Sequence, residues 1–302
     1  MHVVSATELG ALATVSLAED LVIEADNAAV LAKLPDEAFD LIYIDPPFNT
    51  GRSQRRRTLA TVSDDAGGDR TGFAGRRYRS QVLGERSFED ASDDYLSFLV
   101  PRLERARELL NVHGTLYFHI DYREAHYCKL ELDRIFGREC FLNEIIWAYD
   151  YGGKPKRRWP AKHDTILVYV RDPQRYHFDA DAVEREPYMA PGLVTAEQAA
   201  RGKRATSVWW HTIVPTNGAE KTGYPTQKPE GIVRRMVSAS SRSGGWCLDF
   251  FAGSGTLGAV CAKLDRRFVL VDSNPDAIAV MRRRLADAPA AGGARARSAR
   301  AR

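Results

Sequence analysis

The sequence predicts an α/β protein, a sheet carrying helices on both faces. Short apolar runs such as "LVIEAD", "FDLIYID", "GTLYFHID" and "RFVLVD" alternate with segments of helical period along most of the 302 residues. A glycine-rich turn, "DFFAGSGTLG", links one such run directly to a helix. The composition, 44% hydrophobic and 27% charged, is that of a chain able to bury a large core.

Residues 1–20 form a lead without a basic start and apolar core, so they do not read as a secretory signal. No window approaches the roughly 18 apolar residues of a membrane span, which makes a cytoplasmic location and no membrane partner the expectation. "LVIEAD" (21–26) and "FDLIYID" (39–45) read as buried strands, joined by the short helical piece "NAAVLAKLP". From Thr50 to Asp90 the pattern dissolves into Gly, Arg, Ser and Asp, and a mobile or functional loop is expected over 50–90. "SDDYLSFLVPRLERARELL" (92–110) reads as a helix with Ser92 as N-cap and a kink at Pro101. "GTLYFHID" (114–121) is a strand, a helix follows through Ile135, and "EIIWAYD" (144–150) and "TILVYVR" (165–171) are further strands.

Residues 172–222 lack periodicity and mix charges with Tyr176, Tyr188, Trp209 and Trp210, as an inserted recognition segment would. A cofactor-binding part, 223–286, then runs helix "PEGIVRRMVSASS" (229–241), strand "GWCLDFF", glycine turn, helix "TLGAVCAKL", strand "RFVLVD" and a last helix from Pro275 to about Leu285. The tail 287–302 is low-complexity, basic and expected to be disordered.

Net charge is only +3, but residues 52–86 hold nine Arg against four acids and residues 282–302 seven Arg against one. Two concentrated basic segments suit a polyanion, although solvated Arg-rich loops would give the same count. Cys128, Cys140, Cys247 and Cys261 show no C-x-x-C pairing and no His companions at metal-ligand spacing, so neither a metal site nor a disulfide framework is expected.

Gly253-x-Gly255-x-x-Gly258 lets a ligand approach the backbone at a strand end, and Asp272, at the end of the next strand, is placed to hold a ribose. The same spacing serves a nicotinamide dinucleotide. A dehydrogenase, however, would begin with this unit, whereas here only one helix and the tail remain after it. The sheet must be completed by strands that come earlier in the chain.

Asp45-Pro46-Pro47-Phe48 ends a buried strand on a carboxylate and a stiff turn without N–H groups at Pro46 and Pro47. Such an acceptor-rich corner suits a substrate that donates two hydrogens from one nitrogen, an exocyclic amine. The Asp45 carboxylate and the Pro46 carbonyl would hold both N–H bonds and free the lone pair, with Phe48 stacked on the ring. Taken alone, the tetrapeptide also fits a proline turn with a helix-capping Asp.

Together, "DLIYIDPPFNTG", "GTLYFHID", "HDTILVY", "YPTQKP", "LDFFAGSGT" and "VLVDSNPDAI" resemble the bacterial amino-methyltransferases of DNA, in the circularly permuted group where the catalytic motif precedes the cofactor motif. The resemblance spans most of residues 20–286. It implies a Rossmann-like, S-adenosylmethionine-dependent methyltransferase fold whose catalytic half covers 21–171, interrupted by a target-recognition insert. It implies Asp45, Pro46, Pro47 and Phe48 as the catalytic tetrad. Asp249, Phe251, Ala252, Gly253 and Gly255 would line the methionine part of the cofactor pocket, and Asp272 would bind the ribose. Thr226, Gln227 and Lys228 would close over the carboxylate end, and Asp26 would reach the adenine or ribose.

Phe250 and Ala25 depart from the family pattern, which often has Pro and Gly at those positions. Double-stranded DNA is the implied partner, touched by Arg55, Arg56, Arg57, Arg76, Arg77 and Arg79 at phosphates and by Arg201, Lys203, Arg204, Trp209 and Trp210 in the insert. An initial Asp in the tetrad points to adenine N6 over cytosine N4. No cysteine follows a proline, which argues against C5 chemistry. A cognate restriction nuclease and either a monomer or a homodimer are compatible with this resemblance. A nicotinamide oxidoreductase and a catalytically silent DNA-binding module are the readings from other classes.

Overall fold

The computed structural model describes residues 1–48, 52–63, 70–71, 77–90 and 95–286, with backbone alone for the stretches between 52 and 90. Two compact units result, Met1–Pro46 with Leu96–Arg302, and Pro47–Tyr95. The chain opens with β1 (His2–Ser5), α1 (Ala6–Ala11), β2 (Leu21–Glu24), α2 (Asn27–Leu31) and β3 (Phe39–Ile44). The lead is therefore structured. Ser5 and Glu8 form a reciprocal cap on α1, and β1 pairs in parallel with β2.

The second unit contains β4 (Arg52–Ser63), β5 (Arg70–Thr71) and β6 (Arg77–Asp90), an antiparallel sheet in the order β4-β6-β5. Much of the stretch expected as loop is thus strand, paired from Arg52↔Asp90 to Ser63↔Tyr78. Its sequence lacks the apolar alternation by which a half-buried strand is read, so the pairing left no sequence signal. The basic tail and Arg76 lie outside the described residues.

The first unit resumes with α3 (Tyr95–Leu109), β7 (Leu110–Ile120), α4 (Ala125–Phe136), β8 (Phe141–Ala148) and β9 (His163–Val170). Pro101 lies inside α3 and does not end it. Short pieces follow: β10 (Arg185–Glu186), α5 (Ala196–Arg201), β11 (Lys203–Arg204) and β12 (Val208–Trp210). The remainder is α6 (Glu230–Ser240), β13 (Trp246–Asp249), α7 (Thr256–Lys263), β14 (Arg267–Asp272) and α8 (Pro275–Leu285).

Nine strands make one sheet in the order β1-β2-β14-β13-β3-β7-β9-β8-β12. All neighbours are parallel except at β9, which runs against both β7 and β8. Strands covered on both faces are apolar along their middles, and Val22, Ile23, Leu41, Ile42, Cys247, Leu248, Val269 and Leu270 are all fully buried. Leu41 and Tyr43 enter a core with α6, α7 and α8, and Ile42 and Ile44, of opposite parity, are buried as well. Tyr169 packs on Phe136 of α4.

From β13 the chain crosses through α7 to β14 in one direction, and from β3 through α3 to β7 in the other. The ends of β13 and β3 therefore flank the point where strand order reverses, the place where open α/β sheets hold ligands. The segment 172–222 is tied into this architecture at several places, among them Asp179 N–H on Ala239 O at 2.7 Å and Glu184 and Glu186 paired with Arg235 of α6. β12 extends the sheet by pairing with β8 through Trp209↔Trp147 and Trp210↔Ala148.

Candidate active site

β3 delivers Asp45 and Pro46 to the carboxyl rim of the sheet, while Pro47 and Phe48 open the second unit. Both oxygens of Asp45 accept from Lys228 Nζ, at 2.6 and 2.5 Å. The pair is nearly closed off from solvent, with side-chain exposures of 14% and 13%. Lys228 sits on the turn before α6, and its carbonyl accepts from Thr256 Oγ1 at 3.1 Å, so the first residue of α7 fixes the backbone that carries the cation. Lys228 was assigned to the carboxylate end of the cofactor. The structure joins it to Asp45, a contact that no local spacing announces across 183 residues.

The glycine turn follows β13. Gly255 adopts φ +71°, and a Cβ there would stand 2.7 Å from Met281 of α8, so both conformation and space require glycine. A Cβ on Gly258 would meet Leu270 at 2.6 Å, the close helix–strand contact that the third glycine permits. Asp249 Oδ1 accepts from Phe251 N–H at 3.0 Å, and Asp272 accepts from Gly253 N–H and Asn274 N–H at 2.8 Å each. Burial pushes both carboxyls above their ordinary range; for Asp249 the charges of Asp45 and Asp272 add to the rise, and Lys228 and the Phe251 N–H oppose it. Ala252 is buried and its N–H bonds Val271 O. Phe250 fills the core, and its carbonyl accepts from Asn27 Nδ2 at 2.8 Å. Asp26 caps α2 through Ala28 and Ala29 N–H and faces Arg102 at 3.6 Å.

Gln227, expected at the carboxylate end of the cofactor, is buried and spends its amide on neighbouring residues. Its Oε1 accepts from the N–H and the hydroxyl of Thr222, both at 2.8 Å, and its Nε2 donates to Glu220 O at 2.6 Å, so both ends of the amide brace the turn. Thr226 is exposed. In the insert, Trp209 is buried at 6% exposure with its indole N–H on Thr206 O, so, contrary to its expected contact with DNA, it offers little surface to a ligand. Trp210 is 75% exposed. Arg201 ends α5 in solvent, Lys203 is half-buried, and Arg204 pairs with Asp181 at 3.4 Å. Arg55, Arg56, Arg57, Arg77 and Arg79 lie on β4 and β6, where only the backbone is described.

Behind Asp45 runs a buried chain of polar groups that the sequence reading missed. Tyr43 OH lies 3.0 Å from His119 Nδ1, His119 Nε2 lies 3.1 Å from Asp164 Oδ2, and Tyr149 OH donates to Asp164 Oδ1 at 2.9 Å. Trp147 stands edge-on to His119 at 5.6 Å. Burial raises the Asp164 carboxyl, but His119, Lys228 and Tyr149 outweigh it and hold the group below its ordinary value. Tyr43 is held well above the phenol range, by burial first and then by the nearby acids. A signal existed: His119 is a polar residue inside the apolar run "LYFHI", and a buried polar side chain demands partners.

Asp249 carries a consequence for stability. Its folded-state proton affinity exceeds that of the unfolded chain, so stability is fully present below the ordinary carboxylate pKa and is lost as pH rises toward the raised folded value. Asp249→Asn keeps an acceptor for Phe251 N–H and removes the titration. Calorimetry is expected to show the variant gaining several degrees in Tm at pH 8 relative to the parent and little at pH 4; an equal gain at both would mean that the fold does not raise the Asp249 carboxyl.

An acceptor corner and a glycine turn facing each other across the switch point of a doubly covered sheet define an α/β enzyme for a nucleoside-type ligand and an amine. The sequence model of the DNA methylase family matches residues 39–283. The chain belongs to that family, the N6-adenine and N4-cytosine amino-methyltransferases of DNA. It is 29% identical over 255 residues to the type II methyltransferase M.HpaI of Haemophilus parainfluenzae, covering 84% of this chain and 70% of the relative. It is 29% identical over 275 residues to the DNA adenine methyltransferase YhdJ of Escherichia coli K12, covering 87% and 82%. Among solved structures, the cytosine-N4-specific PvuII DNA methyltransferase superposes with a TM-score of 0.62 at 13% identity, covering 89% of this chain and 90% of that one. The M1.HpyAVI–SAM complex superposes at 0.55 and 19% identity, covering 87% and 98%.

Proposed function

We propose that this chain methylates the exocyclic N6 of adenine in duplex DNA, with S-adenosylmethionine, the methyl donor of its family, as cofactor. The observation that carries the reading is Asp45, a carboxylate held at the switch point by Lys228 and opposite the glycine turn. The residues fit the cofactor. Asp249 and Asp272 are two buried carboxyls at a turn that admits a ligand against its backbone; burial disfavours their charged form, a cost that an arriving ammonium would offset, and their oxygens can accept from a ribose diol. When bound, the cofactor supplies an electrophilic methyl group on a sulfonium.

The rest of the chemistry falls to the chain. The target nucleotide leaves the stack, at a cost of a few kcal/mol, and enters the rim cleft. Asp45 and the Pro46 carbonyl accept the two amine hydrogens, Phe48 stacks on the ring, and the nitrogen is held in line for direct displacement, so proximity carries much of the rate. Lys228, fixed by Thr256, keeps the Asp45 carboxylate in one orientation. The relay from Tyr43 to Tyr149 stiffens the wall behind it.

Adenine is preferred over cytosine on the initial Asp of the tetrad and on the likeness to a relative named an adenine methyltransferase. Incubation of the full chain with duplex DNA and labelled cofactor, followed by digestion to nucleosides, is expected to yield N6-methyladenine. N4-methylcytosine would overturn the base assignment. Asp272→Ala is expected to raise KM for the cofactor while turnover recovers at saturation; an unchanged KM would remove Asp272 from the ribose site.

A further inference from the structure

The loop joining β8 to β9, residues 149–162, carries Lys154, Lys156, Arg157, Arg158 and Lys162 against the single acid Asp150. Its base is closed by Tyr149 N–H on Lys162 O at 2.9 Å, and Lys162 Nζ is tied to Gly152 O at 2.8 Å. Everything from Tyr151 to Trp159 is exposed, with Trp159 at 94% and Tyr151 at 69%. Arg158 reaches Tyr122 OH at 3.2 Å, and among the described residues no carboxylate pairs with Lys154, Lys156, Arg157 or Arg158. Because β9 runs backwards, this loop rises from the same rim as Asp45, and its feet bring Tyr149 and Asp164, two members of the relay, to its base. Trp210, also exposed, sits in register with Ala148 at the loop's base.

A single exposed apolar side chain requires no explanation. An indole in open solvent beside Lys156, Arg157 and Arg158 at a catalytic rim does, because that mixture pairs a stacking face with phosphate neutralisation. We propose that residues 150–161 form a DNA finger. Trp159 stacks on the bases exposed by the departing target nucleotide, while Lys154, Lys156 and Arg157 neutralise flanking phosphates. The proposal rests on the DNA methyltransferase reading and adds a contact surface to it.

The test uses the full chain on a duplex that it methylates. Methylation by the parent protein is measured first, and its absence would overturn the family-level activity rather than the finger. The triple variant Lys154→Ala, Lys156→Ala, Arg157→Ala is then expected to lower the slope of log affinity against log salt by roughly 2 to 3, at about 0.9 per phosphate contact. Trp159→Ala is expected to weaken binding about 5- to 150-fold, the range for loss of one stacking platform, with Trp159→Phe restoring most of it. Cofactor affinity, read by calorimetry, stays at the parent value in every variant and reports that the fold is intact. An unchanged slope in the triple variant together with parent-like affinity in Trp159→Ala would overturn the proposal.

Discussion

Asp45→Asn is expected to slow methyl transfer by about 10²- to 10³-fold at saturating cofactor and DNA, the cost of losing one preorganised polar partner of a reacting group. Asn preserves the shape of the side chain and one carbonyl acceptor, so the loss reports the charge and the second acceptor. Ala is the poorer probe, since it strips Lys228 of a near-buried partner, and breaking such a pair costs about 3–5 kcal/mol in its own right. Single-turnover transfer of labelled methyl groups reads the chemical step, and calorimetry reads cofactor binding, which is expected to hold. Lost cofactor affinity with normal turnover at saturation would place Asp45 in the other half of the site.

Lys228→Met is expected to reduce turnover by about 10²-fold near neutral pH, through a route that the pH profile exposes. Lys228 bonds Asp45 and draws the carboxyls of both Asp164 and Asp249 downward. Without the cation, converging acids face one another, and the cluster retains a proton to higher pH. The variant's kcat should therefore climb as pH rises, over a range where the parent is flatter, and Lys228→Arg should recover much of the rate. A lysine that closed over the cofactor's carboxylate would behave differently: KM for the cofactor would rise and kcat would return at saturation. That result would restore the role read from the sequence.

The contrast shows what the chain discloses of itself. β2, β3, β13 and β14 were legible because strands covered on both faces carry consecutive apolar residues, and the glycine turn was legible because its demands are local. β12 was not, being three residues long and defined by pairing with β8 some sixty residues earlier. β1 was hidden by its edge position, where only Val4 of its four residues is buried. At the site, Asp45, Asp249 and Asp272 could be named from strand ends. Tyr43, His119 and Asp164 come from three strands, and only the order β3-β7-β9 brings them into line.

That strand order also governs how the chain comes to be folded. β13 and β14, drawn from residues 246–272, lie between β2 and β3, which are made more than two hundred residues earlier. Until they emerge, the two sides of the sheet have no partner in common, and each exposes the unpaired edge of a strand that is apolar on both faces. Closure depends on contacts of long sequence separation, which form late and slowly. A nascent chain halted before Trp246 would hold the Asp45 rim yet lack the sheet centre that carries it, so that rim gains its support only once residues 246–272 have been made.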